Sequence, residues 1–229
     1  MWNTGIGTPT WARRSFRRRS RQEKSQVLRM CVNSMRTTAS RVTPWAAVFA
    51  TAVAFGAILT STALAPWFSW TGNALSDLGH HDRATANLFN GGLIVAGLVG
   101  ATFPLWLVFD TEGLLCRLGA AVVAATLVDL ALIGVFPTPH DLHGTVSVAF
   151  FVGVTLGLVV WGVGDIAADH RPRGVAIAST GFFHATLWVV WFSSAVPYEG
   201  VAVPEFVGAV ALAGTALAAA REYPEAFGR

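Results

Sequence analysis

Lysine is almost missing from this chain of 229 residues: Lys24 is the one example, and it precedes every long apolar run. No apolar run therefore carries an amine for a Schiff base, which excludes a retinal-type pigment. Cysteine is nearly as scarce, with Cys31 and Cys116 only, so no disulfide framework or cysteine metal site is suggested. Charged residues make up 13% of the chain, against roughly 25% in an ordinary soluble domain. A water-facing globular surface is not affordable on that supply of charge.

Hydrophobic residues, at 53%, are what the chain has in excess. They gather into six continuous runs, at residues 45–64, 84–109, 114–136, 142–163, 174–196 and 205–220. At 1.5 Å per residue, runs of about twenty residues cross a hydrocarbon core of ~30 Å. The runs do not alternate, so strands of a barrel are excluded. The expected fold is all-α, a polytopic bundle of six transmembrane helices over residues 42–221, with a short tail at 222–229. Pro44 is expected in the first turn of the first span, where its missing N–H costs nothing.

Ten of the sixteen basic residues lie between Arg13 and Arg41. Residues 1–41 read as a basic, disordered tail drawn to anionic lipid headgroups. No aromatic-bearing module accompanies the arginines, so nucleic acid is not an expected partner. Arg13 and Arg14 imitate a twin-arginine signal, but the first apolar run lies too far behind them. Met30 and Met35 offer alternative starts to Met1.

The same arginines set the orientation. With the tail in the cytoplasm, Arg117, Arg171, Arg173, Arg221 and Arg229 are also inside, and Arg83 alone faces out. Both termini are then cytoplasmic in a multi-pass protein of the cell membrane. The outer loops collect Asp77, His80, His81, Asp82, His140, Asp141, His143, Glu199 and Glu205. Asp129 lies about two turns below Pro137 on the same half of its span. An intramembrane carboxylate costs roughly 2.5 to 3.5 kcal/mol unless paired or wetted, so a partner is expected.

Ser76, Asp77 and Gly79 form a compact turn, with Asp77 holding backbone N–H groups, Gly79 supplying an unusual backbone angle and Arg83 as a further contact. Asp82 is a candidate N-cap of the second span. Asn87 and Asn90 share one helical face and are candidates for bonds between helices or for a polar vestibule. His140 and His143 are spaced to face one point, and with Asp77, His80 or His81 they could complete a zinc-like site. Thr138, Pro139 and Asp141 account for the same segment as an N-cap, an N1 proline and an acidic N3 residue. His184, near the middle of the fifth span, suits either a helix-to-helix bond or, with Asp129, a proton relay. Gly153 and Gly157 should let the fourth span approach a neighbour closely, in the bundle or across a homo-oligomer.

The stretches Asn73 to Gly79, Phe89 to Ile94 with Gly97, Gly134 to Pro137 and His143 to Ser147 resemble family 998 of the domains of unknown function. The resemblance covers residues 45–220 and implies six spans and no particular reaction.

The leading expectation is a non-enzymatic membrane protein that binds a lipid or small ligand, or modulates a partner, through its outer mouth. Its polar cluster would be Ser76, Asp77, Gly79, Asn87, Asn90, Asp129, His140, His143, Ser147 and His184. No cofactor is implied, and membrane lipids are the expected partners. The alternatives are a proton-linked carrier using Asp129 and His184, and a metal-dependent membrane lipid hydrolase using Asp77, His140 and His143. Ser76, Asp77, His143, Ser147 and His184 supply the residue types of a membrane amidohydrolase, but not its order or spacing.

Overall fold

A computed structural model describes residues 10–228, with side chains from Met30 onward except at Cys31, Val32, Met35 and Glu225. The helices are α1 (Thr10–Ala63), α2 (Ala86–Asp110), α3 (Leu114–Val135), α4 (His143–Ala167), α5 (Arg171–Phe192) and α6 (Ala202–Ala220). Short 3-10 turns stand at Leu75–Gly79 and Pro224–Phe227, and no strand occurs among the described residues. Six segments, including Arg36–Ala63 of α1, are long and apolar enough to cross a membrane. The protein is a multi-pass membrane protein with a six-helix bundle.

Several boundaries differ from the sequence reading. Pro44 lies inside α1 rather than at its start, and the helical backbone of α1 begins at Thr10, within the stretch read as a tail. Thr37, Thr38 and Thr43 bond to the carbonyls four residues back, so this polar stretch satisfies its hydroxyls within the helix. The loop expected from Asp165 to Arg173 is much shorter, because α4 runs on to Ala167 and α5 begins at Arg171. There Asp169 takes a left-handed conformation (φ 63°), and the His170 N–H returns to the Asp165 carbonyl at 2.8 Å, closing the end of α4. The fifth span stops at Phe192 instead of residue 196, at a turn in which Ser194 is also left-handed (φ 56°).

Each of the first five helices packs on the next, and α6 closes the bundle against α1, α4 and α5. Between membrane helices the lipid supplies no hydrophobic drive, so close approach through small residues does the work. Gly153 and Gly157 spend their small size on α3: a Cβ on Gly157 would lie 2.9 Å from Val123 Cγ2. Gly119 meets α4 as tightly, since its Cβ would fall 2.6 Å from the Trp161 backbone. Large apolar side chains such as Leu98, Leu105, Leu156, Phe182 and Val189 point outward, as a lipid-facing surface requires.

At the end of the bundle that carries both terminal segments, polar groups pair across helices. Asp165 is 1% exposed and accepts two bonds from Arg173, Nε to Oδ2 and Nη2 to Oδ1, both 2.6 Å. Arg173 also pairs with Glu222, and Cys116 Sγ stands 3.8 Å from Asp165 Oδ1. Arg36 binds Asp110 at 2.8 Å, and the Tyr223 hydroxyl donates to the same carboxylate at 3.3 Å. Burial, reinforced by Asp110, pushes the Tyr223 hydroxyl well above its ordinary pKa. The indole of Trp45 donates to the Ala226 carbonyl at 2.8 Å, which docks the last 3-10 turn on α1.

Candidate functional site

At the opposite end, the loop between α1 and α2 folds over the bundle. Asn73 Oδ1 accepts the Ser69 N–H at 2.9 Å, and Asn73 Nδ2 donates to Asp77 Oδ2 at 3.0 Å. The same Asp77 oxygen accepts the Ala74 N–H at 3.0 Å. Asp77 therefore holds the turn Leu75–Gly79 together by its local bonds. Gly79 has no left-handed angle; it is needed for space, because a Cβ would press on Asn90 and lie 2.9 Å from Phe89 Cδ1. Asn90 Nδ2 donates to the Gly79 carbonyl at 2.8 Å, tying the turn to α2, while Asn87 is exposed. Asp82 does not cap α2: Thr85 holds that position, and its hydroxyl donates to the Leu78 carbonyl at 2.7 Å. Arg83 lies over the Trp67 ring at 3.9 Å instead of meeting Asp77.

The candidate histidines serve separate local bonds. His140 Nδ1 accepts the Leu142 N–H at 3.1 Å, and its ring rests on Phe136. His143 Nδ1 is 2.9 Å from the Phe136 carbonyl and Nε2 is 3.4 Å from Ser147 Oγ. A carbonyl can only accept, so Nδ1 carries the proton and the Ser147 hydroxyl donates to Nε2. The expected N-cap at Thr138 is not formed, since α4 begins at His143 behind Leu142. Among the described residues, the three-member group whose ligand atoms lie within 4.8 Å of one another is His80, His81 and Asp82, on the exposed rim. His81 Nε2 is 3.0 Å from Asp82 Oδ1. That group does not include Asp77, His140 or His143.

His184 is fully buried. The Trp188 indole donates to its Nε2 at 3.0 Å, so Nδ1 bears the hydrogen and donates to Thr155 Oγ1 at 2.8 Å. Both ring nitrogens are used on α4 and α5. Asp129, half-buried on α3, is not among these partners.

What the fold does build is a partly open hollow between its helices. Its upper chamber, about 50 Å³, is lined by Leu75, Ser76, Phe89, Ser147, Phe151 and Glu205 among others. The lower chamber, about 60 Å³, is walled by small and aliphatic side chains, including Ala50, Ala54, Gly100, Leu127, Leu212, Ala213 and Ala216. Ile58, Leu93, Leu130, Phe150 and Ala209 line both, so the two adjoin. The cause lies in α6, whose inward face carries alanines where leucines would fill the space. From Glu205 to Ala216 the helix rises about 16 Å, roughly one leaflet of a ~30 Å hydrocarbon core.

Glu205 sits at the polar end of this cavity and is 9% exposed. Its Oε2 accepts the Leu75 N–H at 2.5 Å, satisfying a donor at the start of the 3-10 turn. Hydropathy alone places Glu205 among the solvated loop acids. A signal was present nonetheless: it follows Pro204 in the first turn of a small-residue span, where the helix N-terminus stabilises an acid. The Asp165 and Arg173 pair was missed as well, because both residues were assigned to a loop.

The family described as "Protein of unknown function (DUF998)" matches residues 48–222, which span α1 from Val48 to the end of α6 and Glu222. Neither the curated proteins nor the solved structures contain a match. With three quarters of its length matched, from the first span to the last, this chain belongs to the DUF998 family of membrane proteins.

Proposed function

We propose that this protein is a non-catalytic binder of a lipid-like amphiphile, held inside the bundle with its head at Glu205 and its tail in the alanine-walled chamber. The observation that carries the reading is the pair of adjoining chambers, polar at one end and apolar over the length of a leaflet. Such a shape, mostly apolar with a few convergent polar groups, is that of a ligand site. The arginine distribution supports a cell-membrane location with both termini cytoplasmic, which points the Glu205 end toward the outer leaflet. Membrane lipids are then the natural source of the ligand.

The test is saturable binding of tritiated dodecanol to delipidated protein in digitonin, read by scintillation proximity. Ala213→Phe, which fills the lower chamber, is expected to abolish it. Non-saturable uptake that Ala213→Phe leaves unchanged would refute the reading.

The proton-linked carrier is the weaker alternative, because both nitrogens of His184 are already engaged. Proton uptake into vesicles that depends on Asp129 would favour it. The hydrolase alternative has one observation on its side, the Ser147 to His143 contact beside the upper chamber. Near-stoichiometric zinc in the purified protein would revive its metal-dependent form.

A further inference from the structure

The chemistry of the upper chamber narrows the head group that its occupant can carry, an inference that rests on the amphiphile reading above. Three polar side chains reach this chamber, those of Ser76, Ser147 and Glu205, and neither chamber is lined by lysine, arginine or histidine. The bond from the Leu75 N–H engages one oxygen of Glu205, so the ligand finds the other, Oε1. Ser147 is fixed in the same sense. The Phe136 carbonyl sets the tautomer of His143, His143 Nε2 takes the Ser147 hydrogen, and Ser147 Oγ is left with its lone pairs toward the chamber. Ser147 thus presents an acceptor, and Glu205 presents a second one when it is ionised.

We propose that the cavity selects amphiphiles whose head donates hydrogen bonds and carries no negative charge, an ammonium or a hydroxyl seated between Glu205 Oε1 and Ser147 Oγ, with Ser76 alongside. An ammonium head adds charge to its hydrogen bonds and, beside Glu205, favours the ionised form of that carboxyl. A hydroxyl head satisfies the same acceptors without the charge. A carboxylate or phosphate head brings an anion into a chamber that no cation lines among the described residues, the costly case for a buried charge.

The experiment compares dodecylamine, dodecanol and dodecanoate at neutral pH, each tritiated, on the same digitonin-solubilised full-length protein. The tail is common to all, so differences report the head. Dodecylamine should bind at least about tenfold more tightly than dodecanoate, with dodecanol between them, as charge-assisted bonds exceed neutral ones. The two favoured arms also separate the sources: amine above alcohol points to a cationic amphiphile, alcohol equal to amine to a hydroxyl-bearing one. Glu205→Gln can still accept the Leu75 N–H through its amide oxygen, so the turn is kept while the second acceptor becomes a donor. In this variant the preference for amine over dodecanoate should shrink to within about twofold. Ser147→Ala should weaken amine and alcohol but not dodecanoate.

Equal or tighter binding of dodecanoate to the unaltered protein would overturn the head-group inference while leaving the amphiphile reading intact. An unchanged preference in both Glu205→Gln and Ser147→Ala would overturn it too. Failure of all three compounds to bind saturably, with no effect of Ala213→Phe, would instead remove the reading on which it rests.

Discussion

Replacing Arg173 by methionine isolates the largest electrostatic stake in the bundle. The substitution keeps much of the aliphatic length but deletes both 2.6 Å bonds to Asp165, whose side chain is 1% exposed. Among the described residues, the other side-chain partner of that carboxylate is the Cys116 thiol at 3.8 Å, a weak donor. Breaking a buried ion pair from one side costs about 3 to 5 kcal/mol, which is roughly two to four decades in the folding equilibrium. Glu222 also binds Arg173, but its side chain is 45% exposed, so Glu222→Gln should cost about 0 to 1 kcal/mol. Replacing both partners, Asp165→Leu with Arg173→Met, should recover much of the loss, because no buried charge is then left alone. Unfolding in mixed micelles with increasing dodecyl sulfate, followed by tryptophan fluorescence, measures all three. The reasoning fails if Arg173→Met costs no more than Glu222→Gln, or if the double variant is less stable than Arg173→Met.

Other perturbations test separate contacts. Gly119→Ala forces a Cβ to within 2.6 Å of the Trp161 backbone and should cost about 1 to 3 kcal/mol in the same titration. Gly214→Ala, with nothing within 4 Å, should instead gain up to about 1 kcal/mol from helix propensity. His184→Phe leaves the Trp188 and Thr155 groups without their partner and should cost about 1 to 3 kcal/mol, with a shifted indole fluorescence. Tyr223 resists ionisation in the folded state, so its contribution is intact below its unfolded pKa of about 10 and declines as pH rises above it. Tyr223→Phe should therefore flatten the alkaline loss of stability. Any zinc or copper that binds to the rim should depend on His80 and His81, not on His140 or His143, as read by metal content after His80→Ala and His140→Ala.

The membrane spans were legible because hydropathy records burial in lipid residue by residue, and a run such as residues 114–136 differs little from α3, Leu114–Val135. The helix ends were less so. Asp165 and Arg173 look like loop residues one at a time; only their pairing, eight positions apart across a tight turn, lets Asp165 be buried within α4. Among the candidate site residues, Asp77 answers to its turn-forming description because that chemistry is local in sequence. The cavity was not legible. It arises from alanines on α6 facing Ala50, Ala54 and Gly100 on other helices, a three-dimensional shortage of volume that no single run displays. Glu205 was read with the outer acids for the same reason, since its bond to Leu75 bridges residues 130 apart.

The last helix is clamped at its two tips and slender between them. Gly200, Ala202 and Glu205 stitch its beginning to the first loop, while Arg173 grips Glu222, and Tyr223 and Ala226 reach Asp110 and Trp45 just beyond its end. Give in such a helix is concentrated midway, where its side chains are smallest and the hollow lies behind it. A guest would then arrive sideways, sliding between helices from the surrounding fatty chains without crossing water.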